Sequence, residues 1–362
     1  MEVSFYKAEC GDAAKISFIG NDGLQHHIMI DSGFERTFRY VIFNELKSIN
    51  EKNEKIDLWI ISHIHDDHVG GAVKYIKVIN SGEFSDIVNS WYYNPPRNYL
   101  NMVVSNKVDL ISSAVSIGQG DTLYNYLYSE SKLPSFDFTS NVQEQDLFGM
   151  KIQILSPSPE KLEKLRKKYR DNRLLPLESS ESESISEPTK VAAYDYNTII
   201  EDFNLSLWKE DYSIENGSSI SVLTELNGKR ILWLADSHPT DVVNTLKSMG
   251  FSTTNKLKCD WVKVTHHGSK GNNSDALYDL IECENYLISV NGENKHYLPN
   301  KEAIVRILCN KHRDKSNKYF FYFTYDNVVL RSIFNTDGSE VFEKYNFEVE
   351  YLKDERFLSK IL

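Results

Sequence analysis

The apolar run Leu58-Trp59-Ile60-Ile61 leads directly into Ser62-His63-Ile64-His65-Asp66-Asp67-His68-Val69-Gly70-Gly71, and no other stretch constrains the chain as strongly. Three histidines and two aspartates stand where a predicted strand ends and a predicted helix begins. Side chains alternate along a strand and the turn beyond it re-aims them, so His63 and His65 can grip one metal ion while Asp67 and His68 take a neighbouring one. Imidazole nitrogen with carboxylate oxygen is a borderline-soft donor set, which suits Zn²⁺ first and Mn²⁺ or Fe next. A polar loop that happens to be histidine-rich is the alternative. The tight H-x-H-x-D-H spacing in a strand-to-helix context argues against it.

Composition limits the remaining classes. The chain has 362 residues, 41% of them hydrophobic, which suffices for a sizeable core. No apolar run approaches the length of a membrane span, and Met1-Glu2-Val3-Ser4-Phe5-Tyr6-Lys7 lacks the basic-then-apolar order of a leader. A cytoplasmic protein without membrane association is therefore expected. Cys10, Cys259, Cys283 and Cys309 are widely spaced and read as ordinary buried thiols in a reducing compartment. The formal charge of -11 disfavours a broad, sequence-indifferent nucleic-acid groove but leaves room for a local basic patch beside the metals.

Along the chain, residues 13–19 and a run through Ile28-Met29-Ile30 read as a hairpin around Asn21-Asp22-Gly23, ending at Asp31-Ser32-Gly33. The spacing of Phe38, Val41, Ile42 and Leu46, then of Val69, Tyr75 and Ile79, predicts helices covering one face of a sheet. Trp91-Tyr92-Tyr93 reads as a core strand, and 149–155 as another. Leu162, Leu165 and Tyr169 mark a helix within the most basic stretch, 161–173, read as a solvated face. Ser179-Ser180-Glu181-Ser182-Glu183-Ser184 has nothing to bury and predicts a mobile loop.

A second hairpin turns at Asn227-Gly228 and delivers Asp236 to a strand end. A buried carboxylate there is costly unless it is paired or bound to metal, and its two oxygens can bridge two cations. His238, nearby, reads as exposed at the next helix start. The strand through Trp261 ends in Thr265-His266-His267-Gly268-Ser269-Lys270, where one imidazole can bind metal and the other face the substrate. His266 is favoured as the ligand because Thr265-His266 repeats the strand-end placing of Ser62-His63; the reverse order stays open. Strands at 319–323 and 328–333 are expected to finish the fold, and nothing is read from the tail after Asn335.

At these motifs the chain resembles the metallo-β-lactamase superfamily, whose members carry H-x-H-x-D-H in a four-layer αββα sandwich. Within it, the chain resembles one branch, the ComEC-type hydrolase domains found at the end of bacterial DNA-uptake proteins. Cys10-Gly11-Asp12-Ala13 resembles their G-D-A, Asn216 and Ser219 fall on their N-x-x-S, and Ala235-Asp236 falls on their G-D with alanine for glycine. His266-His267-Gly268-Ser269 matches their H-H-G-S, which related phosphodiester-cleaving members share.

The resemblance implies an α+β fold in one domain over 1–362, with insertions at about 84–145 and 171–215. It implies that Asp31 supports the metal loop and that Asp236 bridges two divalent metal ions, Zn most of all, with Mn or Fe next. The pattern S-x-G-x-x-N-x-x-x-H-P expects a histidine to complete the second metal, and Leu298 holds that place before Pro299. His296 either substitutes for it or leaves the second site one ligand short. The implied ligand set is His63, His65, Asp67, His68, Asp236, His266 and His296. Asp67 and Asp236 would orient a metal-bound hydroxide, with His267 or Lys270 meeting phosphate oxygens or the leaving group. A phosphodiester in DNA or RNA is the implied substrate. Hydrolysis of a small ester, thioester or lactam, and a metal-containing non-catalytic partner protein, are the other two classes these residues allow.

Overall fold

The computed structural model describes residues 1–96, 115–171, 193–353 and 355–362. The Ser/Glu-rich loop at 179–184 lies outside the described residues, as do parts of both expected insertions. The strands in chain order are β1 (Glu2–Tyr6), β2 (Ala14–Ile19), β3 (Gln25–Ile30), β4 (Ile56–Ile60), β5 (Val88–Tyr92), β6 (Gln145–Leu147), β7 (Met150–Ser156) and β8 (Ser221–Leu226). They continue as β9 (Lys229–Trp233), β10 (Leu257–Lys258), β11 (Trp261–Lys263), β12 (Ile281–Glu282), β13 (Asn285–Ile288), β14 (Tyr319–Phe323), β15 (Phe347–Tyr351) and β16 (Phe357–Ile361).

One sheet has the order β16-β1-β2-β3-β4-β5 and the other β15-β14-β13-β11-β9-β8-β7-β6, with β10 and β12 paired separately. The period of two along each strand sorts side chains between layers. Leu58, Ile60, Ile231 and Trp233 face the space between the sheets, whereas Trp59, Ile61, Leu232 and Leu234 pack outward under helices. The helix Asp66–Asn80 covers the first sheet with Val69, Ala72 and Ile76, and the helices Pro239–Ser248 and Lys301–Leu308 cover the second with Val242, Leu246, Ile304 and Leu308. Each such buried aliphatic side chain contributes about 1.5–3 kcal/mol. The result is the four-layer αββα sandwich, an α+β fold. Among the described residues no helix is long and apolar enough to cross a membrane.

The aromatic run at 91–93 is core, as its composition suggested: Trp91 and Tyr93 are buried, and Trp91 stacks on Trp59 at 5.0 Å. The cysteines are all free, but only Cys283 is buried. The late strands differ from expectation. Residues Val328–Arg331 form a helix, because the Asn327 side chain accepts the Leu330 N–H at 3.0 Å and caps it, leaving Val328 in solvent. The tail instead supplies the edge strands of both sheets, β15 beside β14 and β16 beside β1.

Register sets where the chemistry sits. Ile30 is opposite Ile60 in the parallel pair β3/β4, so Asp31 and Ser62 leave the first sheet together. Trp233, Lys263 and Leu287 are in register across β9, β11 and β13, so Asp236, His266 and Ser289 leave the second sheet at the same level. A hydrogen bond from the Ile220 N–H to the Ser62 carbonyl, 2.8 Å, ties the two sets of strand ends to each other.

Candidate metal centre

Asp236 lies at the centre of these strand ends and is 1% exposed. Its Oδ2 is 3.8 Å from His63 Nε2 and 3.5 Å from His266 Nε2, while its Oδ1 is 3.4 Å from His68 Nε2 and 3.6 Å from His267 Nε2. The ligand atoms of His63, His65 and Asp236 fall within 4.8 Å of one another, and so do those of Asp67, His68 and His267. Two groups therefore share one carboxylate.

The adjacent histidines divide between the groups because of their backbone. His266 and His267 both have positive φ, 45° and 51°, followed by Gly268 at 83°. Left-handed backbone costs a non-glycine residue roughly 1–2 kcal/mol, and it turns consecutive side chains away from the alternation of a strand. Ala235, where the resembled pattern has glycine, is also left-handed at 46°. Local hydrogen bonds hold the turn: the His266 N–H donates to the Ala235 carbonyl at 2.7 Å, and the Asn300 N–H to the Gly268 carbonyl at 2.9 Å.

The hydrogen bonds behind the ring nitrogens set their tautomers. His68 Nδ1 is 2.8 Å from Asp31 Oδ2, His267 Nδ1 is 2.9 Å from the Ser289 carbonyl, and His266 Nδ1 is 2.7 Å from Asn272 Oδ1. Each partner accepts, which leaves the Nε2 lone pair pointing inward. Ser62 gives its hydroxyl to Asp31 at 2.8 Å and receives His63 Nδ1 at 3.1 Å, with the same consequence. His65 turns the other way, its Nδ1 lying 3.0 Å from His63 Nε2.

Electrostatics follow from this crowding. Burial pushes the Asp67 and Asp236 carboxyls up, but the imidazoles around them, His68 and His267 and, for Asp236, also His266, more than offset it, so both stay below the ordinary carboxylate range. Burial alone would lower His267, yet Asp236 and Asp12 raise it to about 9. Burial holds His63 and His65 below the usual imidazole range.

Several expected residues lie elsewhere. His296 is exposed in a turn organised by Asn294, whose Oδ1 accepts the His296 and Leu298 N–H groups at 3.2 and 3.0 Å. It is absent from both ligand groups. Leu298 is buried in the apolar cluster under the second sheet, and His267, expected to face the substrate, occupies the second group in place of the missing histidine. Lys270 points into solvent, 3.7 Å from Glu302. His238 does precede the helix Pro239–Ser248 but is buried rather than exposed, because Gly217 leaves room for its ring.

Sequence reasoning passed over Asp12 as more than a motif match, and Lys263 altogether. Lys263 Nζ bonds the Asp12 carboxylate, both are buried, and Asp12 Oδ1 is 3.4 Å from His267 Nδ1. The signal was a lysine on the core-facing parity of an apolar strand, since Val262 and Val264 face the helices. Gly11 permits this loop to approach. A Cβ there would stand 2.1 Å from the Asp67 carbonyl oxygen, which also accepts the Asp12 N–H. Gly11→Ala is expected to cost about 1–3 kcal/mol in urea unfolding and to weaken metal binding by displacing Asp67. Wild-type values for both would show that the loop yields freely.

Comparison with known proteins bears on the first part of this arrangement. Residues 14–100 match the family model of the Metallo-beta-lactamase superfamily. The similarity to that superfamily is thus confined to residues 14–100, which include His63, His65, Asp67 and His68. Among solved structures it is similar to CmlA, a diiron beta-hydroxylase from Streptomyces venezuelae, with 11% identity and a TM-score of 0.40 over 100% of this chain and 54% of that one. It is similar also to a long form RNase Z from yeast, with 10% identity and a TM-score of 0.33 over 100% of this chain and 50% of that one. The chain thus spans about half the length of these structures. A comparison with curated proteins returns no match.

Similarity to that superfamily implies metal ions, and the residues present fit them. Buried polar atoms seldom lack partners. Here His68 Nε2, His267 Nε2 and Asp236 Oδ1 are buried without a hydrogen bond, and they converge on one another. His63 Nε2 and His65 Nδ1 face each other with the His63 proton already committed to Ser62. A cation among these atoms would satisfy them, and the nitrogen and oxygen donors suit Zn, Mn or Fe.

Proposed function

We propose that this chain is a dinuclear metal-dependent hydrolase that cleaves phosphodiester bonds in nucleic acid. The observation that carries the dinuclear reading is Asp236, whose two oxygens face two different groups of imidazoles. His63, His65 and His266 would hold one ion, Asp67, His68 and His267 the other, and Asp236 both. Two divalent ions in such a site supply an activated water near neutral pH and offset negative charge on phosphoryl oxygens.

The chain's own part is to position and to exclude. Asp31, Ser289 and Asn272 engage the Nδ1 atoms of His68, His267 and His266, so that Nε2 is the nitrogen each ring turns inward. His63, His68, His267 and Asp236 are buried, whereas the Asp67 and His266 side chains are each 23% exposed, so these two form the edge of the site that a substrate meets. Asp67, kept ionised, is placed there to accept a proton from an attacking water. The phosphodiester preference is supported by the likeness of Gly11-Asp12-Ala13 and His266-His267-Gly268-Ser269 to the ComEC-type domains.

The test is an assay with Mn²⁺ or Zn²⁺ against bis-p-nitrophenyl phosphate, single-stranded DNA and nitrocefin. Cleavage of the first two alone is expected. Turnover of nitrocefin alone would replace the reading with a lactam or ester hydrolase, and inertness of fully metallated protein would leave a non-catalytic role. The ligand division has its own check. His267→Ala is expected to lose one of two bound metal equivalents by elemental analysis, and His296→Ala neither. Loss on His296→Ala instead would put that residue back into the site.

A further inference from the structure

We propose that a cavity beside the metal-ligand cluster, between the helix Pro159–Asp171, the segment 209–217 and the start of the helix Pro239–Ser248, binds the sugar-phosphate backbone of a single-stranded nucleic acid. The proposal deepens the phosphodiesterase reading and rests on it for the identity of the substrate. The cavity measures about 470 Å³ and is lined by Lys161, Lys164, Lys209, Tyr212, Gly217 and His238, with Glu210 and Asp211 at one side.

The lysines differ in what they are free to do. Lys161 is committed, its Nζ lying 2.8 Å from His238 Nδ1 and 3.3 Å from Asp241. Among the described residues Lys164 and Lys209 have no ion-pair partner, and both are exposed. The two carboxylates are engaged by neutral donors. Glu210 accepts the Thr240 N–H at 2.9 Å, and Asp211 accepts the Ser213 N–H at 2.9 Å and the amides of Asn216 and Asn272 at 2.6 and 3.2 Å. Two unpaired ammonium groups are thus left over for an anion.

His238 adds a second, independent observation. An ammonium can only donate, so Lys161 makes His238 Nδ1 an acceptor and places the ring proton on Nε2. Nε2 is buried and has no partner among the described residues. A buried donor left unsatisfied costs about 1–3 kcal/mol, and a phosphate oxygen entering the cavity would relieve it. The ring can lie where it does because residue 217 is glycine, since a Cβ there would stand 2.7 Å from His238 Cε1.

Position and rim select the ligand class. Asp211 lines the cavity and its Oδ2 is 3.8 Å from His266 Nδ1, so the cavity adjoins the back of a metal-ligand histidine. Tyr212 at the rim is 84% exposed, with Lys209 Nζ 5.7 Å from its ring. Cations interleaved with an exposed aromatic face suit a chain of phosphates carrying stacked bases, and a free phosphate would have no use for the ring.

The test measures binding directly. Fluorescence anisotropy follows a labelled oligothymidylate with uncleavable phosphorothioate linkages on metal-loaded protein, across a salt series. The variants are Lys164→Ala/Lys209→Ala, Tyr212→Ala, and Lys247→Ala as an exposed control outside the cavity. The double lysine variant is expected to bind roughly tenfold more weakly, with a log–log salt slope shallower by about 1.4, at about 0.7 per lost phosphate contact on a single strand. Tyr212→Ala is expected to weaken binding at least about fivefold. Turnover of bis-p-nitrophenyl phosphate should be unchanged in all three. Absence of binding by the wild type, or an unaltered slope in the double variant, overturns the proposal. Inorganic pyrophosphate competing on equal terms, with Tyr212→Ala silent, overturns the nucleic-acid assignment in favour of a small anion. Loss of binding in the double variant alongside a wild type that cleaves no phosphodiester would keep the subsite and discard the phosphodiesterase reading.

Discussion

Asp236→Asn is expected to lower phosphodiesterase turnover by about three to four orders of magnitude, or roughly 4–5.5 kcal/mol of barrier. The substitution preserves shape and removes one capacity. A carboxylate offers an oxygen to each group of imidazoles, whereas an amide offers one oxygen and one NH₂. Whichever way the amide is turned, its donor faces Nε2 lone pairs at 3.4 to 3.8 Å on one side. One cation must then bind with a ligand short and against a misplaced dipole. Metal content by elemental analysis should fall, with the far-UV circular dichroism unchanged, since the β-strand ends around Asp236 are held by backbone bonds. A variant that keeps both metal equivalents and near-normal turnover would show that Asp236 bridges nothing.

Lys263→Met is expected to destabilise the protein by about 3–5 kcal/mol, the range for leaving a buried charge without its partner. Lys263 is 4% exposed on the inner face of β11, and its ammonium bonds the Asp12 carboxylate, itself 6% exposed. Burial pushes the Asp12 carboxyl up, and Lys263 with His267 more than offsets this to keep it ionised below the ordinary range. Without the ammonium, the carboxylate is stranded between the sheets, close to Asp31 and the other acids of the cluster. Urea denaturation measures the loss. The companion Lys263→Met/Asp12→Asn should recover most of it, because a neutral pair leaves no charge to solvate. If the single variant loses less than about 1 kcal/mol, or the double is worse than the single, Lys263 is not the counter-charge of this acidic cluster.

What was legible in the sequence was what lies close together along it. His63, His65, Asp67 and His68 fall within six consecutive positions after an apolar strand, so their convergence needed only the geometry of one strand and one turn. Asp236 was legible for a related reason, as a carboxylate at the end of an apolar run after a tight hairpin turn. The alternation of β4 and β9, and the helical spacing that follows them, likewise carried the layers of the sandwich. The last strands were misplaced because an apolar run, Val328-Val329-Leu330, was outweighed by an asparagine cap that no period reveals.

The chain by itself therefore determined the donor chemistry, the layered architecture and the strand ends that carry the clustered histidines and aspartates, since these depend on residue type and short-range periodicity. Tertiary structure alone decided how the donors are shared. Adjacent His266 and His267 serve different groups because a left-handed backbone splays them, and His296 stands outside because Leu298 is drawn into the apolar core. Lys263 meets Asp12 only when β11 is brought under the loop after β1. Contacts between residues hundreds of positions apart follow from packing and register, which local sequence does not encode.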